Sequence, residues 1–130
     1  MLNIKMQSVL FIIGLSLTAF NVTAAGTSTF DQTCTKISIT GDVIHAECRK
    51  KDQTPHKTQI ALVGIENING TLTITGKKTS FQETCSNISI SGHVLKATCR
   101  KRDQSNNNTS LILQGIANID GTLTYTPTGK

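Results

Sequence analysis

Apolar and polar residues alternate with a period of two along much of the chain. Ile37 and Ile39 stand between Lys36, Ser38 and Thr40, then Gly41-Asp42 intervenes, and Ile44, Ala46 and Cys48 resume the alternation. Such a pattern predicts two half-buried strands joined by a tight turn, a hairpin whose inner face carries the branched residues. A third strand is predicted over 59–63 with Ile60 and Leu62 inward. A fourth is predicted over 71–75 with Leu72 and Ile74 inward, entered through an Asn69-Gly70 turn. The stretch 65–68 between them reads as one short helical turn.

The whole pattern then recurs. Phe81 follows Phe30 by 51 residues, and Cys85/Cys34, Gly92/Gly41, Cys99/Cys48, Gly115/Gly64 and Gly121/Gly70 keep that offset without a gap. FDQTCTKISITGDVIHAECRKKDQ aligns with FQETCSNISISGHVLKATCRKRDQ, and GIENINGTLTIT with GIANIDGTLTYT. The chain therefore divides into repeat one, about 27–76, and repeat two, about 77–130, joined by Gly76-Lys77-Lys78-Thr79-Ser80. One unit of this size buries too little apolar area to stand alone, so the two are expected to share a core by exchanging strands.

Ahead of the repeats, Lys5 precedes an apolar run from Val9 to Phe20, followed by the small residues of Val22-Thr23-Ala24-Ala25. This is the layout of a secretory signal cleaved near Ala24 or Ala25, and a run this short falls well below the roughly 20 residues needed to cross a bilayer. It predicts a secreted or periplasmic protein without stable membrane insertion. Export agrees with four cysteines placed after the leader, Cys34, Cys48, Cys85 and Cys99. Four cysteines allow three pairings, and the repeat favours Cys34 with Cys48 and Cys85 with Cys99.

Composition narrows the chemistry. Aromatics are 4% of the 130 residues and Trp is absent, so the core rests on Ile, Leu and Val, and an all-β domain is expected. The formal charge of +5 is modest for a dedicated nucleic-acid binder, and no aromatic interleaving supports one. No CxxC pair occurs, and His45, His56 and His93 have no ligand spacing, so neither a metal nor another cofactor is expected. GxSxG, HExxH and P-loop patterns are absent as well, and the cysteines are committed to disulfides, so the chain reads as a binding protein and not an enzyme. Glu66 and Glu83 are the one pair of carboxylates to weigh as a glycosidase acid and base.

With the repeat in view, five segments together resemble the cyanovirin-N homology family of mannose-binding lectins. They are Phe30-Asp31-Gln32-Thr33-Cys34, the hairpin ending at Cys48, Glu66-Asn67-Ile68-Asn69-Gly70-Thr71-Leu72, Phe81-Gln82-Glu83-Thr84-Cys85, and Ile116-Ala117-Asn118-Ile119-Asp120-Gly121-Thr122-Leu123. The resemblance implies a pseudo-twofold β protein in which each half has a three-stranded antiparallel sheet and a hairpin with short helical turns. It also implies two sites for terminal α1,2-linked mannose on oligosaccharides or glycoproteins. One site would use Gln32, Thr33, Arg49, Lys51, Asn118, Ile119 and Asp120. The other would use Glu66, Asn67, Asn69, Glu83, Thr84, Arg100, Arg102 and Gln104.

Carboxylate, amide and hydroxyl groups of this kind suit a neutral sugar, whose hydroxyls both donate and accept. Without Trp to stack on, each site is expected to be weak alone and to gain from the other through avidity. The triplets Arg49-Lys50-Lys51 and Arg100-Lys101-Arg102 suggest the alternative ligand, an anionic polysaccharide or lipopolysaccharide. The linker lacks Pro and looks unstrained, which favours a monomer over a domain-swapped dimer.

Overall fold

A computed structural model describes residues 26–126, and in it the period-two stretches are strands. The chain runs through β1 (Cys34–Thr40), β2 (Val43–Arg49), β3 (Pro55–Ala61), β4 (Ile65–Ile68) and β5 (Thr71–Ile74). Repeat two follows with β6 (Cys85–Ser91), β7 (Val94–Arg100), β8 (Asn106–Ile112), β9 (Ile116–Ile119) and β10 (Thr122–Tyr125). Two antiparallel sheets of order β1-β2-β3 and β6-β7-β8 are accompanied by the hairpins β4-β5 and β9-β10. The all-β class and the pairing of a three-stranded sheet with a hairpin in each repeat are as expected. The predicted leader lies outside the described residues.

The hairpins are traded between repeats. β10 lies against β3 and β5 against β8, so each sheet is completed by the hairpin of the other repeat. Leu123 N–H donates to Thr58 Oγ1 and Leu72 N–H to Thr109 Oγ1, both at 3.2 Å, which ties hairpin to sheet across the repeat boundary. The chain entering each repeat is laced in the same way. Ser28 N–H donates to Leu113 O, and the buried Ser28 hydroxyl accepts from Ile116 N–H, while Ser80 N–H donates to Ile65 O.

The core repeats the sequence offset residue by residue. Phe30 and Phe81, Ile44 and Leu95, Leu62 and Leu113, Ile65 and Ile116, and Leu72 and Leu123 are all buried. The disulfides are Cys34–Cys48 and Cys85–Cys99, each joining residues directly opposed across a hairpin. Cys48 and Cys99 are fully buried. Each cross-link sits at the open end of its hairpin, where fraying would otherwise begin.

Three local expectations are corrected. Residues Ile65–Ile68 form a strand and not a helical turn, because Asn69 and Gly70 both take positive φ, 50° and 89°. Two such residues make the hairpin turn that pairs Ile68 with Thr71 and Ile65 with Ile74. The helical turns lie instead at Phe30–Gln32 and Phe81–Glu83, where the buried phenylalanines anchor them. The third strand is Pro55–Ala61 and not 59–63: pairing with β2 runs from Arg49↔Pro55 to Val43↔Ala61, and Leu62 leaves the ladder while staying buried.

Ile74 is the third case. It is 49% exposed rather than buried, because it borders an open apolar cavity of about 340 Å³ with Val63, Leu113 and Tyr125. Tyr125 accepts a 3.0 Å hydrogen bond from Val63 N–H, and its burial pushes the phenol above the usual tyrosine range. A group whose folded-state value is raised contributes stability that is complete below its unfolded value of about 10 and is lost as pH rises through the folded value. Tyr125→Phe is therefore expected to retain above about pH 10 stability that the parent loses, checked by urea unfolding across the alkaline range.

Candidate functional site

The tip of each hairpin meets the loop that follows the central strand of the opposite repeat's sheet. At one end, Asn67 lies near the tip of β4-β5. Its Nδ2 donates to Thr84 Oγ1 and to Arg100 O, each at 2.9 Å, while its Oδ1 accepts from Gly70 N–H at 2.7 Å. One side chain thus closes its own turn and fastens it to two segments of repeat two. Asn69 Oδ1 accepts from Arg102 N–H at 2.9 Å, and Asn107 Nδ2 donates to Gly70 O at 2.8 Å. Around this frame lies a cleft of about 350 Å³ bordered by Asn67, Ile68, Asn69, Thr84, Arg100, Lys101, Arg102 and Gln104.

The other end reproduces the frame. Asn118 Nδ2 donates to Thr33 Oγ1 at 2.9 Å and to Arg49 O at 2.8 Å, and its Oδ1 accepts from Gly121 N–H at 2.7 Å. Asp120 Oδ1 accepts from Lys51 N–H at 2.8 Å. Here a histidine replaces the asparagine: His56 Nδ1 lies 2.8 Å from Gly121 O and must carry the proton, since a carbonyl only accepts.

The loops themselves are pinned by their acids. Asp52 Oδ1 accepts from Thr54 N–H and Oγ1, and Asp103 Oδ1 does the same with Ser105. These hydrogen bonds, aided by Lys50 and Lys101, hold both carboxyls below the usual aspartate value. Gln53 and Gln104 take positive φ in these loops, and each donates from Nε2 to the backbone oxygen two residues earlier. Among the described residues, no group of three or more His, Cys, Asp or Glu side chains is placed to hold a metal ion.

The structure therefore brings together Asn67, Asn69, Thr84, Arg102 and Gln104 at one cleft, and Thr33, Arg49, Lys51, Asn118 and Asp120 in the matching hydrogen-bonded frame at the other end. Ile119, 54% exposed, sits on the second hairpin tip, and Gln32 is exposed beside Thr33. Glu66 and Glu83 do not line the cleft bordered by Asn67. Glu66 Oε2 accepts from Thr75 Oγ1 on its own hairpin, and Glu83 faces a separate cavity with Asp42, Lys77 and Lys78. His56 and Asn107, which differ by 51, were not expected at the two frames, although each fastens a turn glycine there.

The turn glycines carry a further consequence. A Cβ on Gly70 would lie 2.6 Å from Lys101 Cγ and 3.1 Å from Asn107 Cβ, and one on Gly121 would meet Lys50 Cγ and His56 Cβ at the same distances. Both glycines also have φ of 89°, which side chains rarely adopt. Gly70→Ala or Gly121→Ala is expected to cost about 2 kcal/mol and to loosen the adjoining cleft, checked by the urea midpoint of each variant.

With this geometry in place, comparison with known proteins is informative. A family model described as the CVNH domain matches residues 30–124. The structure of a microvirin–mannobiose complex is similar at 29% identity and TM-score 0.60, over 75% of this chain and 98% of that one. Gibberella zeae CVNH is similar at 25% identity and TM-score 0.58, over 75% of this chain and 97% of the other. A MoCVNH3 variant in complex with (N-GlcNAc)4 shares the fold at 18% identity and TM-score 0.67, over 80% of this chain and 99% of that one.

Proposed function

Because the chain belongs to the CVNH family, with 30–124 matching its domain model, we propose that it is a lectin that takes terminal α1,2-linked mannose at two pseudo-symmetric clefts. The observation that carries this reading is the duplicated asparagine frame. Asn67 and Asn118 each fix a hairpin tip against a threonine hydroxyl and a backbone carbonyl of the opposite repeat. The frame is satisfied internally, so its groups are already in position before a ligand arrives, and little ordering cost falls on binding. What it leaves around each cleft is amide, hydroxyl and backbone chemistry that matches vicinal sugar hydroxyls. The similar microvirin structure is a complex with mannobiose, which supports the disaccharide as the unit recognised.

Without Trp, no broad ring is present to stack against a sugar face, so each cleft is weak and the pair acts through avidity on branched glycans. Calorimetry of the oxidised chain with α1,2-linked and α1,6-linked mannobiose tests the specificity. Saturable binding of the first, at least about tenfold tighter than the second, is expected. Equal binding of both, or none of either, would overturn it.

Export belongs to the same proposal, as does a monomeric state. Mass spectrometry of protein recovered from the medium or periplasm is expected to find a chain beginning at residue 25 or 26, with the mass of one copy in native spectra. An uncleaved chain in the cytoplasm would contradict the export reading.

A further inference from the structure

Six of the chain's thirteen Lys and Arg residues fall in the two triplets beside the clefts. At the first cleft described, Arg100, Lys101 and Arg102 all line the cavity, and no carboxylate does. The ion pairs among the described residues are Lys36–Glu47 and His93–Asp31, so neither triplet is engaged in one. The nearest acid in sequence, Asp103, is turned into its own loop by Ser105. At the corresponding hairpin tip Asn69 stands where the other repeat has Asp120, which removes the one carboxylate that would offset the triplet.

The middle lysine of each triplet is not loosely held. Lys101 Cγ lies 2.6 Å from where a Cβ on Gly70 would sit, and Lys50 Cγ has the same relation to Gly121. The aliphatic stems pack on the turn glycines, so part of the entropic cost of ordering a lysine is already met. Like charges gathered around one cleft repel each other, and an anion placed there relieves that repulsion. Arginine in particular pairs with planar or tetrahedral oxyanions through two hydrogen bonds.

We propose that the clefts select mannosides carrying an oxyanion, phosphate or carboxylate, next to the terminal unit, and that the cleft of Asn67 and Arg100–Arg102 does so more strongly. This rests on the carbohydrate reading above: the asparagine frame seats the sugar and the triplet meets its charge. The exposed charges are open to screening, so the advantage is greatest at low ionic strength.

The test is calorimetry with neutral α1,2-mannobiose, a phosphorylated mannobiose and a mannuronate-containing disaccharide, at 50 mM and 500 mM NaCl, with inorganic phosphate as the sugar-free anion. About tenfold tighter binding of at least one anionic disaccharide at low salt is expected, falling to within about twofold at high salt. The two anionic arms identify which oxyanion is preferred. The Arg100→Gln/Arg102→Gln double variant is expected to bring the anionic-to-neutral ratio at that cleft close to one. Lys77→Gln/Lys78→Gln, with the same change in net charge on the linker, is expected to leave the ratio as it was.

Equal affinities for neutral and anionic sugars at low salt would overturn the selectivity and leave the lectin reading standing. An equal loss of the ratio in the linker variant would overturn the assignment to the cleft, and phosphate binding as tightly as the sugars would overturn the requirement for a mannoside. Binding of none of the three sugars would remove the lectin reading itself.

Discussion

Converting Cys34 and Cys48 to Ala together is expected to lower the stability of the chain by about 3 kcal/mol, and the same change at Cys85 and Cys99 by a similar amount. Each disulfide closes a loop with a sequence separation of 14 and joins opposed residues at the open end of a hairpin. Its removal therefore frees the denatured chain and also leaves space around the fully buried Cys48 or Cys99. A domain this small has about 5–15 kcal/mol in total, so loss of both cross-links is expected to abolish folding. Urea unfolding with and without reductant measures it. A midpoint that reduction leaves unmoved would show that the apolar core shared between repeats suffices alone.

Asn67→Ala and Asn118→Ala are expected to have the second largest effect. Each asparagine makes three hydrogen bonds, two across the repeat boundary and one within its own turn. At about 1 kcal/mol for each bond, the loss is about 2–3 kcal/mol per variant. The effect on binding is local. Asn67→Ala is expected to abolish mannobiose binding at the cleft of Arg100–Arg102 and to leave the other cleft intact, with the reverse for Asn118→Ala. Binding stoichiometry falling from two to one in each variant checks this, and an unchanged stoichiometry would separate the frame from recognition.

The repeat offset made most of the architecture legible. It favoured both disulfides as they are bonded and, through the inward Leu72, the buried Leu123, because both copies pass through the same local geometry. The offset was less informative where side-chain direction decides. Ile65 and Ile68 are three apart, which suits a helical turn as well as a short strand, and only pairing across the Asn69-Gly70 turn resolves them. Glu66, which the family resemblance brought into the site, has its side chain placed by the same strand geometry. Adjacent residues of a strand point to opposite faces, so with Asn67 turned to Thr84 and Arg100, Glu66 turns to Thr75. Arg100 was expected near the site, but its contact with Asn67 is through the backbone carbonyl, which no residue type announces.

Traded hairpins make each proposed cleft depend on both repeats. Lys51 and Asp120 are 69 positions apart in sequence yet share a hydrogen bond, and neither cleft is complete within one repeat. A fragment holding one repeat is not expected to bind. The measurement that tests the account most directly is an amide-shift titration of the oxidised chain with α1,2-mannobiose. Two separate groups of shifting resonances are predicted, one over 67–70, 84 and 100–104, the other over 33, 49–53 and 118–121. No shifts at high ligand, or shifts confined to the outer sheet faces around His45 and Lys96, would contradict it.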